Sequence, residues 1–224
     1  MEIQMQRYFN KNSIITLFCL LISAMPLTLG RALAAETDSP VQVIEKAYNQ
    51  LISVLNDPSY QGEAAAEKRK AKLKELAEQI FDFRKVSLLA LGRNARKFTK
   101  AEFDEFAKLF GQLLENTYLS RIDTYKDAKI KFDRERLLTP KKAIVETTVT
   151  YNGKDIPITY RMYKSGESWR GYDVLVEGIS LIKNYRTQFN EIMRKENPAE
   201  VIKLVKQKLD EQSSIQASKE QKQG

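Results

Sequence analysis

Glu167, Asp173 and Glu177 are the residues whose types and spacing come nearest to chemistry. A pair of carboxylates at a suitable separation can hydrolyse a glycosidic bond. In a chain with 29 Asp and Glu residues, however, such a cluster is also ordinary surface background. Nothing else joins them. The chain has no histidine, which excludes a Ser-His-Asp triad and every histidine-containing metal site. Its one cysteine is Cys19, so thiol catalysis and cysteine metal sites have no basis elsewhere in the chain. No GxxxxGK[ST] or GxGxxG phosphate cradle occurs, and no calcium loop of alternating acids. Elimination leaves a binding protein with no metal and no cofactor.

The first residues bear on compartment. Arg7 and Lys11 precede an apolar run from Ile14 to Leu29, and Ala32-Leu33-Ala34 gives a small-x-small cleavage pattern. That layout predicts a secretory signal peptide over residues 1–34, cleaved near Ala34 or Ala35. The run is short for a bilayer span and diluted by Ser23, Pro26 and Thr28. Phe18 stands where a lipoprotein signal would need a small residue before Cys19. Cleavage would remove the only thiol, so the exported chain would rely on packing rather than disulfides. The formal charge of +8 would suit acidic partners or anionic lipid surfaces in an exported protein, and equally an ordinary solubilising surface.

The elements that must position a binding site follow from periodicity. Ser39-Pro40 opens a helix with Ile44, Tyr48, Leu51 and Leu55 on one face. A second helix runs from roughly Gly62 to Ile80, and Thr99-Lys100-Ala101-Glu102 is a capping box opening a third. That third helix carries Phe103, Phe106 and Phe110 in one stripe, a pattern that suits a core or a cavity wall. From about Lys129 the period changes to 2. Strands at about Ile130–Leu138, Ile144–Tyr151, Ile156–Met162 and Ser168–Leu175 are joined by turns at Asn152-Gly153 and Ser165-Gly166. Beyond Gly178 the pattern is helical again, and Pro198 starts a last helix. The fold class is α+β: an antiparallel sheet of four or so strands covered by N- and C-terminal helices. One domain spans residues 35–210, and the polar composition of residues 211–224 predicts a disordered tail.

The stretch WRGYDVLVEGISLIKNYRTQF, Trp169 to Phe189, carries apolar surface through a change from strand to helix. Its Trp169, Tyr172-Asp173-Val174 and Val176-Glu177-Gly178-Ile179-Ser180, followed by Asn184-Tyr185-Arg186 and Gln188-Phe189, resembles the MlaC family. Ile80-Phe81-Asp82-Phe83, Leu91-Gly92 and the helix opening at Thr99 lie at the distances that family shows. The resemblance covers about Pro40 to Asp210. It implies a periplasmic phospholipid carrier, with acyl tails held between a curved sheet and its helices. It further implies two partners, an outer-membrane lipoprotein complex and the periplasmic domain of an inner-membrane ABC transporter. Physical reasoning agrees with such a role. Two acyl chains of roughly 30 methylenes, at about 0.8 kcal/mol each, make bare transit through water far too costly.

The pocket candidates that follow are Phe83, Leu88, Leu91, Phe106, Phe110, Val149, Ile158, Tyr160, Met162, Val174, Val176, Ile179, Ile182 and Tyr185. Each has core packing as its alternative. Arg161 and Arg186 are candidates for headgroup contact, against a solvated surface role. Asp173 is expected to bond backbone donors where the helix begins, and Gly178 to supply close packing or a permissive backbone angle. No heptad run argues for an obligate oligomer, so a monomer is expected. Two other readings stay open: a periplasmic chaperone or peptide binder, which would use an exposed sheet edge, and an assembly adaptor with a solid core.

Overall fold

Ser39 caps the first helix as its sequence foretells. Its hydroxyl accepts from the Gln42 N–H, and its own N–H donates to Gln42 Oε1 at 2.8 Å, satisfying two of the donors that a helix start leaves free. The computed structural model of the chain describes residues 38–119 and 122–220. The signal-peptide reading and Cys19 lie outside those residues.

Among the described residues four α-helices precede the sheet: α1 (Pro40–Asn56), α2 (Ala66–Ile80), α3 (Phe83–Leu91) and α4 (Lys100–Leu119). The second begins later than its composition suggests, because Gly62 at φ 78° and a 3₁₀ turn over Glu63–Ala65 precede it. Asp82 caps α3 by accepting from the Lys85 N–H at 2.8 Å. The Thr99–Glu102 capping box opens α4, with the Thr99 N–H donating to Glu102 at 2.8 Å and the Glu102 N–H to Thr99 at 3.2 Å.

The sheet is a meander: β1 (Lys129–Thr139), β2 (Lys142–Tyr151), β3 (Lys154–Ser165), β4 (Ser168–Val176) and a two-residue β5 (Ile179–Ser180), antiparallel and in sequence order. The fifth strand is the one that alternation over four strands does not reveal. Asn152 and Gly153 both have positive φ, 49° and 72°, the geometry of a two-residue primed turn whose twist matches the strands. Helices α5 (Leu181–Lys195) and α6 (Pro198–Glu220) complete the α+β architecture.

The tail needs a correction. Residues 211–220, expected to be disordered, continue α6. Polarity alone does not break a helix: the Glu, Gln, Ala and Lys of this stretch are good helix formers, and its three serines cost little. Lys208 pairs with Glu211 at 2.6 Å, and Gln212 donates to Thr117 of α4 at 2.8 Å, so this turn is tied to the body.

Among the described residues three buried clusters hold the fold. One joins α3, α4, α5 and α6 around Phe106, Phe110 and Phe189. A second joins Ile44 of α1 to Ala143, Val145, Met162 and Trp169 of the sheet. The third packs Val54 and Leu55 of α1 on Leu73 and Leu76 of α2.

Candidate functional site

Residues directly opposed in an antiparallel ladder share a face, so register shows what lines each side of the sheet. One row runs through Ala143, Met162 and Gly171, and the next through Val145, Tyr160 and Val174. Beyond them come Thr147, Ile158, Val176 and Ile179 in one row, then Ile130, Val149 and Ile156. All lie on the face that α1 crosses. Helix α1 is held at both ends of its passage: the Val41 N–H donates to Glu135 of β1 at 2.8 Å, and the Tyr48 hydroxyl donates to the Ala128 carbonyl at 3.1 Å. It therefore seals the rows nearest Trp169. Val145 and Met162 are 0% exposed, whereas Val176 and Ile179 are 43% and 70% exposed.

The strand end that carries this open row is pinned from behind. Glu177 and Gly178 take φ values of 51° and 80° and fold β5 back on β4. No atom lies within 4 Å of a Cβ built on Gly178, so of its two expected roles the glycine fills that of a permissive backbone. Asp173 is buried; its carboxylate accepts from the Ser180 hydroxyl at 2.7 Å, the Ile182 N–H at 3.1 Å and Arg161 at 3.1 Å. The expected backbone role of Asp173 is what the structure shows. Gly171 is close-packed instead: a Cβ there would fall 2.7 Å from the Phe81 ring.

The structure gathers Val149, Ile158, Tyr160, Val174, Val176 and Ile179 on this one face, with Met162 at its sealed end. Ile156, which shares the alternation, belongs with them and was detectable by it. Tyr160 has its phenol pushed up by burial, which a hydrogen bond with Thr147 partly offsets. Phe83, Leu91, Phe106, Phe110, Ile182 and Tyr185 are elsewhere, in or against the helical cluster. There Phe106 stacks on Phe110 at 5.4 Å between centroids, and Tyr185 meets Phe110 edge-on at 4.8 Å. Leu88 of α3 is exposed. Arg186 spends its Nε–H on the Leu89 carbonyl at 2.8 Å, at the C-terminal end of α3, and Arg161 is half-exposed beside Asp173.

A family model described as MlaC protein matches residues 45–207. The chain belongs to the MlaC family. The toluene tolerance protein ttg2D of Pseudomonas putida is 29% identical over 102 residues, covering 45% of this chain and 47% of that protein; the chain thus spans about half the length of the curated relative it matches. The fold is shared with a phospholipid-binding protein of Ralstonia solanacearum solved in complex with a phospholipid. That likeness has a TM-score of 0.67 at 20% identity and covers 76% of this chain and 97% of that one.

In this MlaC chain Glu167 and Glu177 are exposed, while the Asp173 carboxylate accepts from Ser180 and the Ile182 N–H. Among the described residues no group of three or more His, Cys, Asp or Glu could hold a metal ion, and no helix is long and apolar enough to cross a membrane. Among the described residues, clefts between helices indent the surface, and two of them are well defined. One of about 280 Å³ lies between α1 and α2, lined by Gln50, Asp57 and Lys72 among others. The other, of about 490 Å³, lies between α4, α5 and α6. Of the expected pocket residues, only Tyr185 lines either of them.

Proposed function

We propose that this chain is a periplasmic phospholipid carrier that shuttles lipid between the outer membrane and an inner-membrane ABC transporter. The acyl tails lie along the open half of the sheet face, over Val149, Ile158, Val174, Val176 and Ile179. The observation that carries this reading is the exposed apolar row at Val176 and Ile179, which continues a face sealed elsewhere by α1. Leaving such side chains in water forgoes about 1.5–3 kcal/mol each, and an acyl chain laid across them recovers it. Family membership and the phospholipid held by the Ralstonia relative support the same reading.

The partners follow from the role: an outer-membrane lipoprotein complex at one end of the route and the transporter's periplasmic domain at the other. The chain acts as an exported monomer after loss of residues 1–34, and binding requires neither metal nor cofactor. Arg161, half-exposed on the opposite face of the sheet, and Arg186, committed to Leu89, leave the tails as the main source of affinity.

Native mass spectrometry of the mature protein, followed by denaturation and lipid extraction, tests the proposal. One phospholipid per chain is the expected result. A protein that stays lipid-free after gentle purification and after incubation with phospholipid vesicles would overturn it and favour an assembly adaptor.

A further inference from the structure

The hairpin that joins β1 to β2 has features that the carrier role leaves unused. Leu137 and Leu138 stand side by side near its tip, 61% and 50% exposed, at the end of an edge strand. The ladder slips between Leu137 and Thr139, so Leu138 is the unpaired residue of a bulge. The backbone of the turn is already satisfied. Pro140 has no N–H to offer. The Lys141 N–H donates to the Thr139 hydroxyl oxygen at 3.2 Å, and the Lys141 carbonyl accepts from the Lys164 N–H at 3.1 Å. Cations collar the two leucines. Arg134, Arg136, Lys141 and Lys142 are all exposed, and among the described residues Arg134, Lys141 and Lys142 have no ion-pair partner. Arg136 approaches Glu146 at 3.7 Å, and Lys164 on the adjoining hairpin approaches Glu167 at the same distance. The one acid within the collar, Glu135, is committed to the Val41 N–H.

We propose that this hairpin docks the protein on the surface of a bilayer that contains anionic phospholipid. Leu137 and Leu138 enter the boundary between headgroups and acyl chains, and Arg134, Arg136, Lys141 and Lys142 meet the phosphates. The combination selects this occupant. An acidic polypeptide would pair with the cations and leave the leucines in water. An apolar protein groove that took the leucines would strip water from the adjacent ammonium groups without a counter-charge, which is costly. A headgroup layer accepts both, because lysine stems lie along apolar surface while their charged ends stay among phosphates and water. A turn with its backbone groups already paired also enters that layer without losing hydrogen bonds. Leu137 continues the row of Ala143, Met162 and Gly171 at the sealed end of the sheet. Docking therefore leaves Val176 and Ile179 uncovered, and the contact is a tether that stands independently of the carrier reading.

Flotation of the mature protein with phosphatidylglycerol vesicles tests the assignment, with phosphatidylcholine vesicles as the uncharged control. Binding to phosphatidylglycerol that weakens with added salt is expected, and clearly less to phosphatidylcholine. Lys141→Glu with Lys142→Glu should weaken it about tenfold or more, since each cation near an anionic surface is worth about fivefold. Leu137→Ser with Leu138→Ser should also weaken it about tenfold or more. Arg96→Glu with Lys100→Glu makes the same charge change at exposed positions between α3 and α4 and should bind nearly as wild type. A Leu138→Cys protein carrying an environment-sensitive dye should shift to the blue on phosphatidylglycerol vesicles. No binding by the wild-type protein, full binding by the double-serine variant, equal loss in the Arg96 and Lys100 variant, or no blue shift would overturn the proposal. So would loss of binding in Val176→Asp, which would move the contact to the open row. Failure of phospholipid to co-purify would sink the carrier reading without touching these outcomes.

Discussion

At one end of the sheet, α1 lies across Ala143, Val145 and Met162 and leaves them no surface. At the other, Ile158, Val176 and Ile179 occupy the next row of the same face, and the last two meet solvent. Both ends show the same alternation of apolar and polar residues, and both use β-branched or long aliphatic side chains. The difference is cover. Helix α1 runs from Glu135 to Ala128 along β1 and then leaves the sheet to pack its Val54 and Leu55 on α2. The far side of β3, β4 and β5 on this face is beyond its reach. A stable protein can leave such a strip bare when the strip has another occupant for much of its time.

The largest test of this contrast is stability. Met162→Ala removes a fully buried side chain and should cost about 2–5 kcal/mol, whereas Ile179→Ala at an exposed position should stay within about 0.5 kcal/mol. Urea denaturation followed by the fluorescence of Trp169, the single tryptophan and itself buried at the sealed end, reads both. Equal costs would mean that the two ends are packed alike. Ligand loading should respond in reverse order. Val176→Asp places a charge in the open row and should lower the phospholipid recovered per chain by about tenfold or more, since a desolvated carboxylate is strongly penalised, while leaving the urea midpoint near wild type. A folded Val176→Asp protein that still carries a full complement of phospholipid would show that the tails lie elsewhere.

Much of this scaffold could be read in the chain. Ser39 and Thr99 announce their helices because capping depends on residues three apart. Asn152-Gly153 announces its hairpin because only a few residue types accept positive φ. Asp173 is legible for a related reason, as a carboxylate at a strand end needs nearby donors. The site was less legible because burial depends on which element arrives from far along the chain. Phe106 and Phe110 have the spacing of a cavity wall, yet Phe189 and Tyr185 close on them from α5. Leu88 and Leu91 sit three apart on one helix, one exposed and the other buried. Gln212 falls in a stretch whose composition suggests disorder, and only its bond to Thr117 reveals it as part of a cleft.

A pH test separates the sealed end from the open one. Asp82 joins α3 to the sheet there: its N–H donates to the Gly171 carbonyl at 3.0 Å, and Tyr163 donates its hydroxyl to the carboxylate. Burial raises its pKa, but the bonds from Tyr163 and the Lys85 N–H, with the charges of Arg170 and Lys85, outweigh that and hold it below the ordinary value of an aspartate. A carboxyl lowered in the folded state contributes stability above its unfolded pKa and loses it as pH falls through the folded one. Wild type should therefore exceed Asp82→Asn in urea stability at pH 6, with the gap closing as pH drops below about 4. A gap unchanged across that range would show that the Asp82 carboxylate does not help to hold α3 on the sheet. Phospholipid loading at neutral pH should be the same in both proteins, because Asp82 stands at the sealed end.

The smallest effect belongs to the turn that builds the open row. Glu177 holds φ at 51°, a left-handed conformation that crowds the Cβ of most residues and that asparagine tolerates better. The glycine beside it carries no such cost, so the strain of this hairpin rests on one side chain. Glu177 is exposed, and among the described residues its carboxylate has no ion pair or hydrogen bond to lose. Glu177→Asn should raise stability by about 0.5–1 kcal/mol, read as a higher urea midpoint with an unchanged slope. Phospholipid loading should not change, because the register that aligns Ile158, Val176 and Ile179 is kept. If the substitution stabilised the protein and also reduced loading, the turn would be acting as a spring that the ligand releases, and the open row would depend on that strain instead of on the absence of cover.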